Sequence, residues 1–270
     1  MIPHDFLTEW RAQAPWTDDA QVEQDLVISR ALVEIYRRPG LARELAFRGG
    51  TALHKLHLGP PTRYSEDIDL VQVTAGPIGA ILAELRDALD PWLGAPRWKL
   101  KEGRVNLVYH FDAETSPPTQ MRLKVEINSR EHFSQFGLVH LPYVVRSRWF
   151  EGSAEIATYD LDELLGTKLR ALYQRKKGRD LYDLALALER GAHPDRILAC
   201  FARYMAEGGH SVTRAMFEQN LADKRTDVRF TADLAPLLRS GGSWDLERAL
   251  QLVSRELVER LPGQPWKGVG

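Results

Sequence analysis

The segment Arg63-Tyr64-Ser65-Glu66-Asp67-Ile68-Asp69-Leu70 sets two carboxylates two positions apart. On a strand, Asp67 and Asp69 project from one face about 6.8 Å apart, while Ile68 and Leu70 point to the other. Like charges so placed repel unless water or a cation separates them. An all-oxygen pair suits Mg²⁺, whose remaining positions go to water and substrate phosphates; a solvated strand face is the bland alternative. Just upstream, Phe47-Arg48-Gly49-Gly50-Thr51-Ala52-Leu53 offers two glycines between a strand and a helix. There backbone N–H groups can approach an anion closely, and the helix N-terminus adds its dipole. The turn lacks the Gly-Lys-Ser/Thr ending of a P-loop, and a lone Gly-Gly turn is more often structural.

Glu126 supplies a third candidate acid, on the polar face of its strand beside Lys124. For both, an ordinary surface face or an ion pair to a neighbouring strand is the alternative. Three strand-borne carboxylates beside a phosphate-cradling turn form the constellation that holds metals across a transferring phosphoryl group. A second cluster, Leu161 to Leu172, places Lys168 within a stripe of Leu161, Leu164, Leu165 and Leu172. A lysine there must snorkel or meet an anion. Between residues 164 and 190, seven basic residues stand against three acidic ones, and they include Arg170, Arg175, Lys176, Lys177 and Arg179. That excess of four marks a patch able to meet phosphates, with a solvated helix end as the alternative. Asp180 opens a further helical pattern, where N-capping would explain it. His54 and His57 lie three apart without a convincing third zinc ligand, and spacing supports no Ser-His-Asp arrangement.

These groups need elements to hold them. A helix is predicted over 17–38, capped at Thr17-Asp18-Asp19 and stopped by Pro39-Gly40. Leu45-Ala46-Phe47 reads as a short strand leading into the glycines, with Thr51 as the cap of the helix that follows. Ile68 to Val71 reads as a strand, and 77–90 as a helix. Period-two alternation marks strands at 104–111 and 121–128, joined by a turn containing Ser116-Pro117-Pro118. Beyond about residue 155 helical patterns take over, at 161–176, 180–190, 195–207, 213–222 and 245–260. The expected architecture is therefore an α/β unit over 1–155 and a helical C-terminal unit over 156–270 that completes the active site. Pro262 to Gly270 reads as a loose tail.

Composition narrows the class. Of 270 residues, 44% are hydrophobic and 27% charged, which excludes collagen-like, disordered and disulfide-scaffold chains. Thirty-six basic residues against thirty-seven acidic ones exclude a globally basic nucleic-acid coat, though not a local patch. Cys200, the single cysteine, sits in the apolar run Ile197 to Phe201 and reads as a buried small hydrophobe. No run approaches the roughly 18 apolar residues of a membrane span. Asp5 and Glu9 interrupt the N-terminus, so a cytoplasmic protein without membrane association is expected.

In order, Gly-Gly-Thr-Ala-Leu, Arg-Tyr-Ser-Glu-Asp-Ile-Asp-Leu, Lys-Val-Glu-Ile-Asn, Thr-Lys-Leu-Arg-Ala-Leu and Arg-Asp-Leu-Tyr-Asp-Leu resemble the motifs of the AbiEii/AbiGii toxin family. The resemblance runs from Gln24 to Leu188 and includes the MenT group of bacterial toxin–antitoxin and phage-defence systems. It implies a nucleotidyltransferase fold related to DNA polymerase β and transfer of a nucleoside monophosphate dependent on Mg²⁺ or Mn²⁺. By that resemblance Gly49, Gly50 and Thr51 meet the phosphates, with Arg63, Ser65 and Lys168 in the nucleotide site. Asp67 and Asp69 hold metal, Glu126 stands where related folds carry a third acid, and Lys124, Lys168 and Asp180 match further catalytic motifs. Thr51 departs from the serine of the wider superfamily but keeps the hydroxyl. An NTP donor, a tRNA 3′ end as acceptor, arrested translation and a winged-helix antitoxin are the expectations that follow. Arg170, Arg175, Lys176, Lys177 and Arg179 are the expected RNA contacts. A protein or small-molecule hydroxyl as acceptor, and a catalytically silent RNA- or antitoxin-binding module, are the competing expectations.

Overall fold

The carboxylate-bearing segment forms the central strand of a seven-stranded mixed sheet. In a computed structural model describing residues 2–101, 103–114 and 119–268, the chain divides into two units, Met1–Tyr159 and Asp160–Gly270. The first contains helices α1 (His4–Trp10), α2 (Asp19–Tyr36) and α3 (Pro39–Glu44), strand β1 (Leu45–Arg48), and helix α4 (Gly49–Ala52). α4 widens into a π-turn over Leu53–His57. Then follow β2 (Asp67–Gln72), α5 (Gly79–Leu93), β3 (Arg97–Lys101), β4 (Arg104–Ala113), β5 (Thr119–Asn128), β6 (Leu138–Arg146) and β7 (Glu151–Tyr159).

The sheet order is β3-β4-β5-β2-β1-β7-β6. β2 runs parallel to β5 and antiparallel to β1, while β1 runs parallel to β7. Alternation explains the two faces. Ile68, Leu70, Val105, Leu107, Tyr109, Leu123, Val125 and Ile127 are buried, on the side against which α2 and α5 pack. α2 is almost wholly enclosed, and Asp18 caps it by accepting from the Ala20 N–H. At roughly 25 cal/mol per Å² of apolar surface removed from water, this core is the main stabiliser of the unit. The opposite face keeps Asp67, Asp69, Lys124 and Glu126 only half-buried.

The second unit is helical: α6 (Leu161–Gln174), α7 (Gly178–Glu189), α8 (Pro194–Glu207), α9 (Arg214–Arg225), α10 (Val228–Thr231) and α11 (Leu246–Glu256). Asp160 caps α6. α6 packs closely on α8, because Gly166 leaves room for Cys200: a Cβ there would lie 2.4 Å from the cysteine's own Cβ. Among the described residues, no helix is long and apolar enough to cross a membrane.

Some local expectations change. α1, α3, β3, β6, β7 and α10 were not anticipated, and β7 carries the first unit to Tyr159. Thr51 is not a cap: Arg48 holds that position and Thr51 is the third residue of α4. Asp180 likewise lies inside α7, whose cap position is Lys177. The Ser116-Pro117-Pro118 turn, and Val269 and Gly270 of the tail, lie outside the described residues. The Arg214 N–H donates to the Pro262 carbonyl and the Trp266 N–H to Glu218 Oε2, so the tail is tethered at two points.

Candidate active site

Strand β2 presents Asp67 and Asp69 side by side between two strands that also carry charge. Asp67 is in register with Lys124 and Asp69 with Glu126 on β5; on the other side Asp69 is opposite Arg48 of β1. Burial, and after it the neighbouring charge of Asp69, pushes the Asp67 carboxyl up to about 6 despite Lys124 nearby. Such a pair favours a cation that would let both carboxylates ionise.

The glycine turn fits against this pair. Gly49 has φ +85°, a left-handed conformation that suits glycine, and a Cβ there would fall 2.2 Å from Asp69 Oδ2. A Cβ on Gly50 would meet Arg63 Nη2 at 2.7 Å and Ser65 Oγ at 3.0 Å. The turn therefore lies directly on the carboxylate and on the two nucleotide-site candidates of the loop that leads into β2. The Thr51 hydroxyl is 2.6 Å from the Asp67 carbonyl and 2.9 Å from Ser65 Oγ, tying the start of α4 to the start of β2. Arg63 is buried and donates to the Tyr64 carbonyl. Thr51, Arg63 and Ser65 border a cavity of about 330 Å³ that reaches the ion pair of Asp25 with Lys55.

Lys124 Nζ lies 2.8 Å from Glu126 Oε2, and Arg104 approaches Glu126 Oε1 at 3.5 Å. Burial would lower the Lys124 ammonium, but the bond to Glu126 and the charges of Asp67, Glu126 and Asp69 raise it. Glu126 is thus engaged by two cations. Among the described residues no three His, Cys, Asp or Glu side chains are grouped to cage a metal ion. Two carboxylates are enough for Mg²⁺, which is commonly held by one or two of them together with substrate phosphates. The raised Asp67 and the all-oxygen pair fit that ion.

In the second unit, Lys168 meets its anion inside the protein. Its ammonium is 3.0 Å from both Asp180 Oδ1 and Asp183 Oδ2, with all three side chains buried. The physical reason is simple: an ammonium that deep needs an equally buried counter-charge. Arg175 adds a two-pronged contact to Asp180, through Nε at 2.7 Å and Nη2 at 2.8 Å. Burial would raise the Asp180 carboxyl, but Lys168 and Arg175 hold it below the usual carboxylate range. Asp183 was missed in sequence, though its i+3 spacing from Asp180 on a helix was a signal.

The same unit neutralises much of the basic stretch. Lys176 pairs with Asp227, Lys177 and Arg179 pair with Asp233, and Arg170 lies over the Tyr204 ring at 5.0 Å. The excess counted over 164–190 omitted acids supplied from residues 227 and 233. Cys200 is buried, its thiol pushed up to about 12, first by burial and then by the charge of Glu163.

A mixed sheet with a carboxylate pair on its central strand, beside a glycine turn that opens a helix, is the layout expected of a nucleotidyltransferase. Residues 30–252 match the family model described as the AbiEii nucleotidyl transferase toxin of type IV toxin–antitoxin systems, and the chain belongs to that family. Membership implies an NTP substrate and an antitoxin partner. Among solved structures, the chain is similar to MenT4, a nucleotidyltransferase toxin from Mycobacterium tuberculosis, with a TM-score of 0.66 and 17% identity over 97% of this chain and 91% of that one. It is also similar to JHP933 from Helicobacter pylori, with a TM-score of 0.54 and 18% identity over 89% and 91%. These likenesses establish the fold. No curated protein sequence matches the chain.

Proposed function

We propose that the protein moves a nucleoside monophosphate from an NTP to the 3′ end of tRNA, in a Mg²⁺- or Mn²⁺-dependent reaction that stops translation. The observation that carries this reading is the close approach of the Gly49 backbone to Asp69, which sets a phosphate-binding turn against a carboxylate pair. Gly49 and Gly50 supply backbone N–H groups to the triphosphate, and Thr51 and Ser65 fix the loop they stand on. Asp67 and Asp69 would hold the metal. Held there, the metal would supply the positive charge that the α-phosphate and the departing pyrophosphate call for. Lys124 keeps Glu126 oriented next to Asp69 and places a positive charge beside the reacting phosphates. Lys168 and Asp180 act through each other, fixing α6 against α7. A pyrimidine donor, a winged-helix antitoxin, a role in phage defence and a cytoplasmic site complete the reading, all supported by the family alone.

Incubation of the protein with α-³²P-labelled NTPs, Mg²⁺ and total RNA tests it on a denaturing gel. Label at tRNA length that is absent with Asp69→Asn is expected. Label confined to protein bands would replace the RNA acceptor by a protein hydroxyl.

A further inference from the structure

The sheet face that carries Asp67 and Asp69 continues well beyond them. Register extends it in two straight rows, Asp69–Glu126–Asn106–Lys99 and Asp67–Lys124–Val108–Arg97. Lys101 pairs with Arg104 in the next row, and Arg122 precedes Lys124 on the same face. Alternation along each strand keeps all these side chains on the carboxylate side. The contacts of Arg104 and Lys124 with Glu126 agree with that placement. Three strand spacings of about 4.8 Å set β3 about 14 Å from the carboxylates.

Arg97, Lys99, Lys101, Arg104 and Arg122 are exposed, and of these only Arg104 is ion-paired among the described residues. The acids of β4 and β5 on this face are Asp112 and Glu126. This is the reverse of the basic stretch around α6 and α7, where Arg175, Lys176, Lys177 and Arg179 are matched by carboxylates. In a chain of net charge −1, a set of exposed cations on one face, aligned with the reacting centre, offers a surface to a polyanion. β3 is also the outer strand of the sheet, so an extended ligand can leave without obstruction from a further strand.

We propose that the outer face of β3, β4 and β5 is the track on which the phosphates of an RNA acceptor lie, leading its terminal hydroxyl to Asp67 and Asp69. The proposal rests on the RNA reading given above and adds the surface that reading lacks. Contacts of this kind are to phosphates, so they position the strand without reading its bases.

Bulk tRNA is the probe, bound to the full chain across a salt series from about 50 to 200 mM and also used as acceptor with labelled NTP. Arg97→Gln/Lys99→Gln/Lys101→Gln should flatten the slope of log affinity against log salt by about 2 to 3. It should raise the KM for tRNA about tenfold or more while leaving kcat and the KM for NTP in place. The charge-preserving set Arg97→Lys/Lys99→Arg/Lys101→Arg should behave as wild type, which separates charge from strand packing. If wild type labels tRNA and the Gln variant binds and reacts unchanged, the track is overturned while the RNA reading stands. If wild type labels only protein, both fall. Unchanged tRNA binding by the Gln variant, with lost binding of polyglutamate, would assign the face to an acidic protein partner and overturn the proposal.

Discussion

Lys168→Met tests whether the buried lysine holds helices together or serves a triphosphate. The methionine keeps the aliphatic volume, so little of its effect can come from a cavity. What disappears is one ammonium placed 3.0 Å from two carboxylates, with side-chain exposures of 7% for Lys168 and 0% for Asp180 and Asp183. Breaking a buried ion pair by removing one partner costs about 3–5 kcal/mol. For a helical unit of this size that corresponds to a fall in Tm of about 10–20 °C, read by calorimetry of the full chain. Adding Asp183→Asn should restore part of the loss, because neighbours in one network couple by about 0.5–3 kcal/mol. The acid limb supplies a second reading. Asp180 is held below its unfolded value, so its contribution is present above about pH 4 and is lost as pH falls through the depressed value. Without Lys168 that acid-dependent contribution should shrink. A Tm within about 2 °C of wild type, together with lost nucleotide transfer, would refute the structural role and return Lys168 to the triphosphate.

Three further outcomes are expected. Asp67→Asn should abolish transfer yet leave the fold as stable as wild type or more so at pH 7.5 in EDTA. The Asp67 carboxyl is raised to about 6, so its ionisation costs stability as pH climbs from about 4 through 6, by up to about 2–3 kcal/mol; a less stable variant would contradict this. Gly49→Ala should cost about 1–2 kcal/mol from its positive φ alone and should cut transfer sharply through the clash with Asp69, and near-normal kcat would reject the turn as phosphate cradle. Replacing Arg175, Lys176 and Lys177 by Gln should lower Tm in a melt and barely change the salt slope of tRNA binding. A flattened slope with unchanged Tm would move the acceptor track back to α6 and α7.

The central chemistry was legible because strand alternation is strict. Asp67-Ile68-Asp69-Leu70 and Lys124 to Ile127 each declare which face meets the core, so two short motifs predicted one common face before their pairing was known. The register, Asp67 with Lys124 and Asp69 with Glu126, was not legible, since it depends on partners some 57 positions away in the chain. β6 and β7 were missed although they alternate, because Pro142 argues against a strand in β6 and the inward positions at the start of β7 hold only the small Gly152 and Ala154. Charge was the least legible property. Arg175 to Arg179 looks like a free basic run until α10 and the turn after it deliver Asp227 and Asp233, whereas Arg97, Lys99 and Lys101 attract no notice until β3 is seen to lie in line with the carboxylates.

The packing of Gly166 on Cys200 gives the molecule a natural reporter. The chain has one thiol, it lies wholly in the helical unit, and burial keeps it protonated and shielded. A thiolate-selective alkylating reagent can reach it only when α6 and α8 part, so the labelling rate counts openings of that unit and is blind to the sheet. Alkylation kinetics followed with and without NTP, RNA or antitoxin would therefore tell which of these ligands clamps the helices, with no engineered probe.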